Sequence, residues 1–173
     1  MKRFNAGESV VYDTYGICMV EKIEKKSFCS GMPLQEYYVL SVMGSPNSTY
    51  YVPLSSEKLC SKLRYPLSVN DIHSLLKASS ETECEWIENR QMRADTFHDI
   101  MQKGVSAELV ALIRCMYEKK CTNQNCGKKL SATDESLFNA AQKLLTQEFA
   151  FSLGIEEHQV CDYIGNFFDE LKR

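Results

Sequence analysis

The chain has 173 residues, is 44% hydrophobic and 25% charged, and carries a net charge of −3. That is the mix of an ordinary soluble globular protein, with room for one good core or two small ones. No apolar run approaches a membrane span, and the charge is uneven, about +2 over residues 1–67 and −5 over 68–173, so a membrane protein and a generic, non-specific DNA binder are both excluded.

The start, Met1-Lys2-Arg3-Phe4, has basic residues but no apolar stretch behind them, so no signal peptide and a cytoplasmic location are expected. Residues 1–66 read as one domain of strands. Ser9–Asp13 is a short β-rich run closed by a turn ending at Gly16, and Ile17–Lys26 is the second strand. Gly31-Met32-Pro33 is turn chemistry. Gln35–Met43 is the strongest strand, Gly44–Ser48 a second turn, and Thr49–Leu54 the next strand, with Pro53 near its end. Lys62–Tyr65 suits a fifth. Short strands at regular spacing predict a small antiparallel β barrel, with working surfaces on its outer face and edges.

Residues 67–173 read as a second, all-α domain of about five helices, making the whole α+β. Ser68 to Asp71 has capping-box spacing and opens the first. The second is predicted over 83–103, because Ile87, Ala94, Phe97 and Met101 recur at helical spacing, and it stops near Gly104. Ser106 caps the third, followed by a polar loop from Lys119 to Lys129. Ser131-Ala132-Thr133-Asp134 opens the fourth and Gly154 stops it; residues 156–171 make the fifth.

Within the 83–103 helix, Trp86, Arg90 and Arg93 fall at i, i+4 and i+7 and share a face. Trp86 is the one tryptophan of the chain. An indole flanked by guanidinium groups suits nucleic acid, the ring wedging at a base step while the arginines hold phosphates. On pattern alone the commoner case is a tryptophan packed on a neighbouring helix, with the arginines paired to Glu83, Glu88 or solvent. Lys119, Lys120, Lys128 and Lys129 form either a second basic patch or a solvated loop.

The eight cysteines include no two tight pairs, and His73, His98 and His158 are scattered, so neither a metal nor a cofactor is expected. Phosphate loop, dinucleotide fingerprint and nucleophile elbow are all missing, so an enzyme is not expected.

Several words then stand in order: Phe4-Asn5-Ala6-Gly7-Glu8-Ser9-Val10-Val11-Tyr12, Tyr15-Gly16, Glu36-Tyr37-Tyr38-Val39-Leu40 and Tyr51-Val52-Pro53. Gly127 to Glu135 and Ala141 to Ala150 follow in the second half. With them the chain resembles the CarD/CdnL family of bacterial transcription regulators, whose N-terminal module is similar to the polymerase-interacting domain of transcription-repair coupling factor. The resemblance implies a Tudor-like barrel that binds the RNA polymerase β subunit and a helical domain that meets promoter DNA at the upstream edge of the melted region. There a tryptophan wedges into the minor groove and favours the open complex. It implies that role for Trp86, with Arg90, Arg93, Lys119, Lys120 and Lys128 as candidate DNA contacts. For the polymerase face it implies Lys26 and Tyr51, with Lys25, Tyr50 and Pro53 around them. Tyr51 departs from the arginine common there, and Ile87-Glu88-Asn89 from the basic residues that often follow the tryptophan. A monomer is expected. The alternative is a module that docks on polymerase or another protein without touching DNA.

Overall fold

A computed structural model describes residues 3–28 and 33–171. The turn expected at Gly31-Met32-Pro33 lies largely outside them. The chain divides into two compact units, Met1–Pro66 and Leu67–Arg173.

The first unit is one antiparallel sheet of five strands in the order β4-β3-β2-β1-β5. They are β1 Ser9–Tyr12, β2 Ile17–Lys26, β3 Gln35–Val42, β4 Ser45–Pro53 and β5 Leu63–Arg64. The expected barrel is not formed; the sheet is open. Closure needs a ladder between β4 and β5, but β5 is two residues long and pairs with β1 alone. Phe4, Val10, Tyr12, Cys18, Val20, Tyr38, Leu40, Val52 and Leu63 make the core on one face. An irregularity between Val20 and Lys22 resets the alternation of β2.

The second turn is shorter than the sequence suggested. Met43-Gly44 makes it, with Gly44 at φ +80°, and β4 starts at once with Ser45 opposite Val42. Pro46 is therefore inside a strand, which is tolerated because β4 is an edge. A short helix, α1 (Glu57–Cys60), was not anticipated; Ser56 caps it through the Leu59 N–H.

The second unit holds α2 Val69–Glu81, α3 Arg90–Gln102, α4 Ala107–Asn125, α5 Ala132–Leu153 and α6 Val160–Leu171, the five helices expected. Ser68 and Asp71 form the capping box of α2, while Ser106 and Ser131 cap α4 and α5. Their apolar faces build two cores. One centres on Phe97, Leu109, Leu112, Met116 and Phe138, the other on Ile72, Leu76, Phe149 and Val160.

Two expectations fail here. Residues 82–89 are not helical: α2 ends at Glu81, and α3 begins only at Arg90. Asn89 fixes that start, its side chain accepting from the N–H groups of Gln91 and Met92. Trp86 thus precedes the helix and shares no helix face with Arg90 and Arg93. Lys119 and Lys120 in turn belong to α4, which runs on to Asn125 because nothing before Gly127 breaks it.

Gly154 ends α5 in the left-handed conformation, φ +66°. A Cβ there would meet no atom within 4 Å, so the cost of Gly154→Ala is one of backbone conformation alone. We expect it to destabilise by about 1 kcal/mol, read as a lower urea midpoint at unchanged slope.

Candidate functional site

In the helical unit, the segment 82–89 carries Trp86 on backbone that is neither helix nor strand, between α2 and α3. The indole is half-buried. Its inner neighbour is Phe97, edge to face at 6.3 Å between ring centres. The Arg93 guanidinium lies over it at 4.3 Å, and the Lys119 ammonium at 5.0 Å. Cation–π contacts of this kind are worth about 0.5–2 kcal/mol each.

Arg93 is the fixed point of the site. It is only 5% exposed, and its partner Asp134 only 3%. Nε and one Nη donate to the two carboxylate oxygens at 2.9 Å each. The other Nη donates to the carbonyl oxygens of Ile87 at 2.6 Å and Glu88 at 3.2 Å. Asp134 also accepts from the hydroxyl of Ser131. Burial alone would raise the Asp134 carboxyl, but its hydrogen bonds from Arg93 and Ser131 outweigh it and hold the group below the ordinary aspartate value. One guanidinium thereby joins α3 to the start of α5, grips the two peptide groups after Trp86, and faces the ring itself.

The remaining cations are distributed. Arg90 is exposed and donates to Thr133 at 2.8 Å. Lys119 sits 3.5 Å from Glu88 and Lys120 2.9 Å from Glu135. Lys128 is exposed in the link between α4 and α5. So the structure brings Trp86, Arg93 and Lys119 together, with Arg90 at the head of α3; Lys120 faces α5. Sequence reasoning missed Asp134 as the partner of Arg93. Its capping position was visible, but no local signal links it to a residue 41 positions away.

In the sheet unit, the register sorts the expected residues onto two faces. Lys26 lies opposite Gln35, Tyr37 opposite Pro53 and Val39 opposite Tyr51, so Lys26, Tyr37, Tyr51 and Pro53 share the face away from the core. There the Lys26 ammonium reaches the Tyr51 hydroxyl at 3.3 Å and lies over the rings of Tyr51 at 4.5 Å and Phe28 at 4.9 Å. Phe28 stands edge-on to Tyr37 and Tyr51 at 5.2 and 5.1 Å. Lys25 and Tyr50 occupy the opposite face. Lys25 pairs with Glu36 at 3.8 Å, and Tyr50 packs against Tyr15 and Tyr12. Phe28 and Tyr37 were not anticipated; Phe28 lies beyond the end of β2, where alternation gives no guide.

Among the described residues, no group of three or more histidine, cysteine or acidic side chains is arranged to hold a metal, and no helix is long and apolar enough to cross a membrane.

A family model described as the CarD-like/TRCF RID domain matches residues 4–64, and one described as the C-terminal domain of CarD matches residues 71–165. The Bacillus subtilis (strain 168) protein named "Putative transcription factor YdeB" is 25% identical over 160 residues, covering 92% of this chain and 99% of that relative.

Proposed function

The chain belongs to the CarD-like family of transcription regulators, and from that premise we propose that it docks on the β subunit of RNA polymerase through its sheet and stabilises the promoter open complex through Trp86. The reading rests above all on one observation. The chain's single indole is held half-exposed, outside any helix, by a buried ion pair that also grips its backbone.

A wedge must be stiff to be useful. Partly unstacking a base step costs about a few kcal/mol, recovered only where the duplex is already distorted. The upstream edge of a melted bubble is such a place, so the protein reads shape rather than sequence. Binding the open state more tightly than the closed one shifts the balance by that difference. A tenfold longer open-complex lifetime corresponds to about 1.4 kcal/mol.

Docking on polymerase resolves the charge problem. The region 68–173 carries about −5, and free in solution it is repelled by phosphates. Tethered at the fork, it acts at high effective concentration. The exposed Arg90 and Lys128 then serve as phosphate contacts, and Lys119 and Lys120 join them by exchanging Glu88 and Glu135 for DNA. Arg93 positions the ring. For the polymerase face, Lys26 with Phe28, Tyr37 and Tyr51 offers an aromatic surface with one embedded cation. One copy supplies both faces, so a monomer suffices.

The direct test is open-complex lifetime on a linear promoter with cognate polymerase: the protein should lengthen it, and an unchanged lifetime with polymerase bound refutes the DNA step. For docking, Lys26→Glu should weaken binding to polymerase by about tenfold or more while the sheet stays folded at the assay temperature; equal affinity would remove this face from the interface.

A second reading keeps the docking and drops the DNA. It is favoured by the exposed Glu83, Glu85 and Glu88 around the indole and by the carboxylate partners of Lys119 and Lys120. On that reading the protein acts by occupying its polymerase surface. A footprint at the upstream fork separates the two.

A further inference from the structure

Helix α4 meets the Trp86 segment at three successive points. Arg114 donates to the carbonyl oxygens of Ser79 at 3.4 Å and Thr82 at 2.9 Å. Cys115 comes next, and it shares the lining of one cavity with Cys84. One turn further on, Lys119 lies over Trp86 and pairs with Glu88. That cavity is open and about 460 Å³, and is lined also by Glu83, Glu85, Arg114 and Glu118. A small molecule can therefore approach both cysteines from one opening.

We propose that Cys84 and Cys115 are a thiol modification site that closes to a disulfide by exchange with a low-molecular-weight disulfide, locking Trp86 beneath Lys119. Cys84, the less buried of the two, attacks as thiolate; one sulfur–sulfur bond of the reagent breaks, and the first leaving thiolate takes up the proton Cys84 lost. Cys115 then attacks the mixed disulfide, and the second reagent thiolate leaves and takes up its proton. In sum, two protein S–H bonds and one reagent S–S bond are exchanged for one protein S–S bond and two reagent thiols.

The surroundings set the rate. Burial pushes the Cys84 thiol up to about 11 and raises Cys115 as well, so little thiolate is present at neutral pH. Exchange is consequently slow at pH 7 and rises about tenfold per pH unit below that value. The pair answers sustained disulfide stress rather than a brief pulse. Three carboxylates against one guanidinium around the cavity favour a cationic reagent over an anionic one.

The consequence for DNA rests on the function proposed above; the chemistry does not. The full-length protein, with and without cystamine, would be mapped by non-reducing peptide mass spectrometry while Trp86 emission is followed. A linked Cys84–Cys115 peptide is expected, forming about ten times faster at pH 8.5 than at 7.5, with an emission change absent in Cys115→Ser. Cysteamine adducts on Cys121, Cys126 and Cys161 with no linked peptide would overturn the site. A linked peptide with unchanged emission would overturn the lock. If reduced protein lengthens open-complex lifetime, the oxidised form should do so less, and equal effects would refute the regulation. If reduced protein has no effect on lifetime, the DNA reading fails and the thiol site stands on its own map.

Discussion

Arg93→Ala should cost the helical unit about 3–5 kcal/mol, the loss expected when one partner of a buried ion pair is removed and the other stays. The magnitude follows from what is stranded. Asp134 is 3% exposed and would keep only the Ser131 side of its hydrogen bonds. The carbonyl oxygens of Ile87 and Glu88 would lose their shared donor. Urea denaturation of the full chain measures the first loss, and Trp86 emission reports the second. An Arg93→Met, Asp134→Leu double variant separates them. Two apolar residues of similar volume should recover most of the stability. They cannot hold the two carbonyl oxygens, so the emission should stay altered. Recovery of both would show that the guanidinium does not position the ring.

The same pair gives a pH signature. The Asp134 carboxyl titrates lower in the folded chain than in the unfolded one. Its stabilisation is thus fully present above the unfolded value, about 4, and drains away as pH falls through the lower folded value. Wild type should lose stability over that acidic window more steeply than Arg93→Ala. Parallel curves would mean that the pair contributes no linkage.

Trp86→Ala should abolish the lengthening of open-complex lifetime altogether, leaving the value measured without protein. The ring is half-buried and Phe97 beneath it stays packed in its own core, so the fold should survive. Polymerase affinity should be unchanged, because Lys26, Tyr37 and Tyr51 are untouched. Trp86→Phe should retain part of the effect, since a smaller ring still wedges. If Trp86→Ala acts like wild type, the docking reading replaces the wedge.

The end signals of the helices were legible because they are local. Ser68, Ser106, Ser131 and Gly154 act where the sequence placed them. The Trp86 segment misled because Ala94, Phe97 and Met101 do form a stripe on α3, and Ile87 extends it by coincidence of spacing. Asn89, a strong capping residue, was the countersignal. Whether the sheet closes depends on whether β5 reaches β4, a matter of strand length and pairing that alternation does not encode. The candidate sites were half legible for the same reason. Trp86 could be named as the one tryptophan and Lys26 by its place at the end of the second strand, but Asp134, Phe28 and Tyr37 join them only through tertiary contact.

That long-range contact has a kinetic side. Arg93 can form its own helix as soon as residues 90–102 are available, but its carboxylate partner arrives 41 residues later in the chain. Contacts of such separation carry loop-closure entropy and form late. During synthesis, α3 emerges with an unpaired guanidinium and an unanchored indole. The ion pair that backs the segment is complete only when the first turn of α5 docks. A nascent or truncated chain ending before Asp134 therefore lacks the carboxylate that holds Arg93 beside Trp86, and the buried ion pair of the site waits until the helical unit is nearly whole.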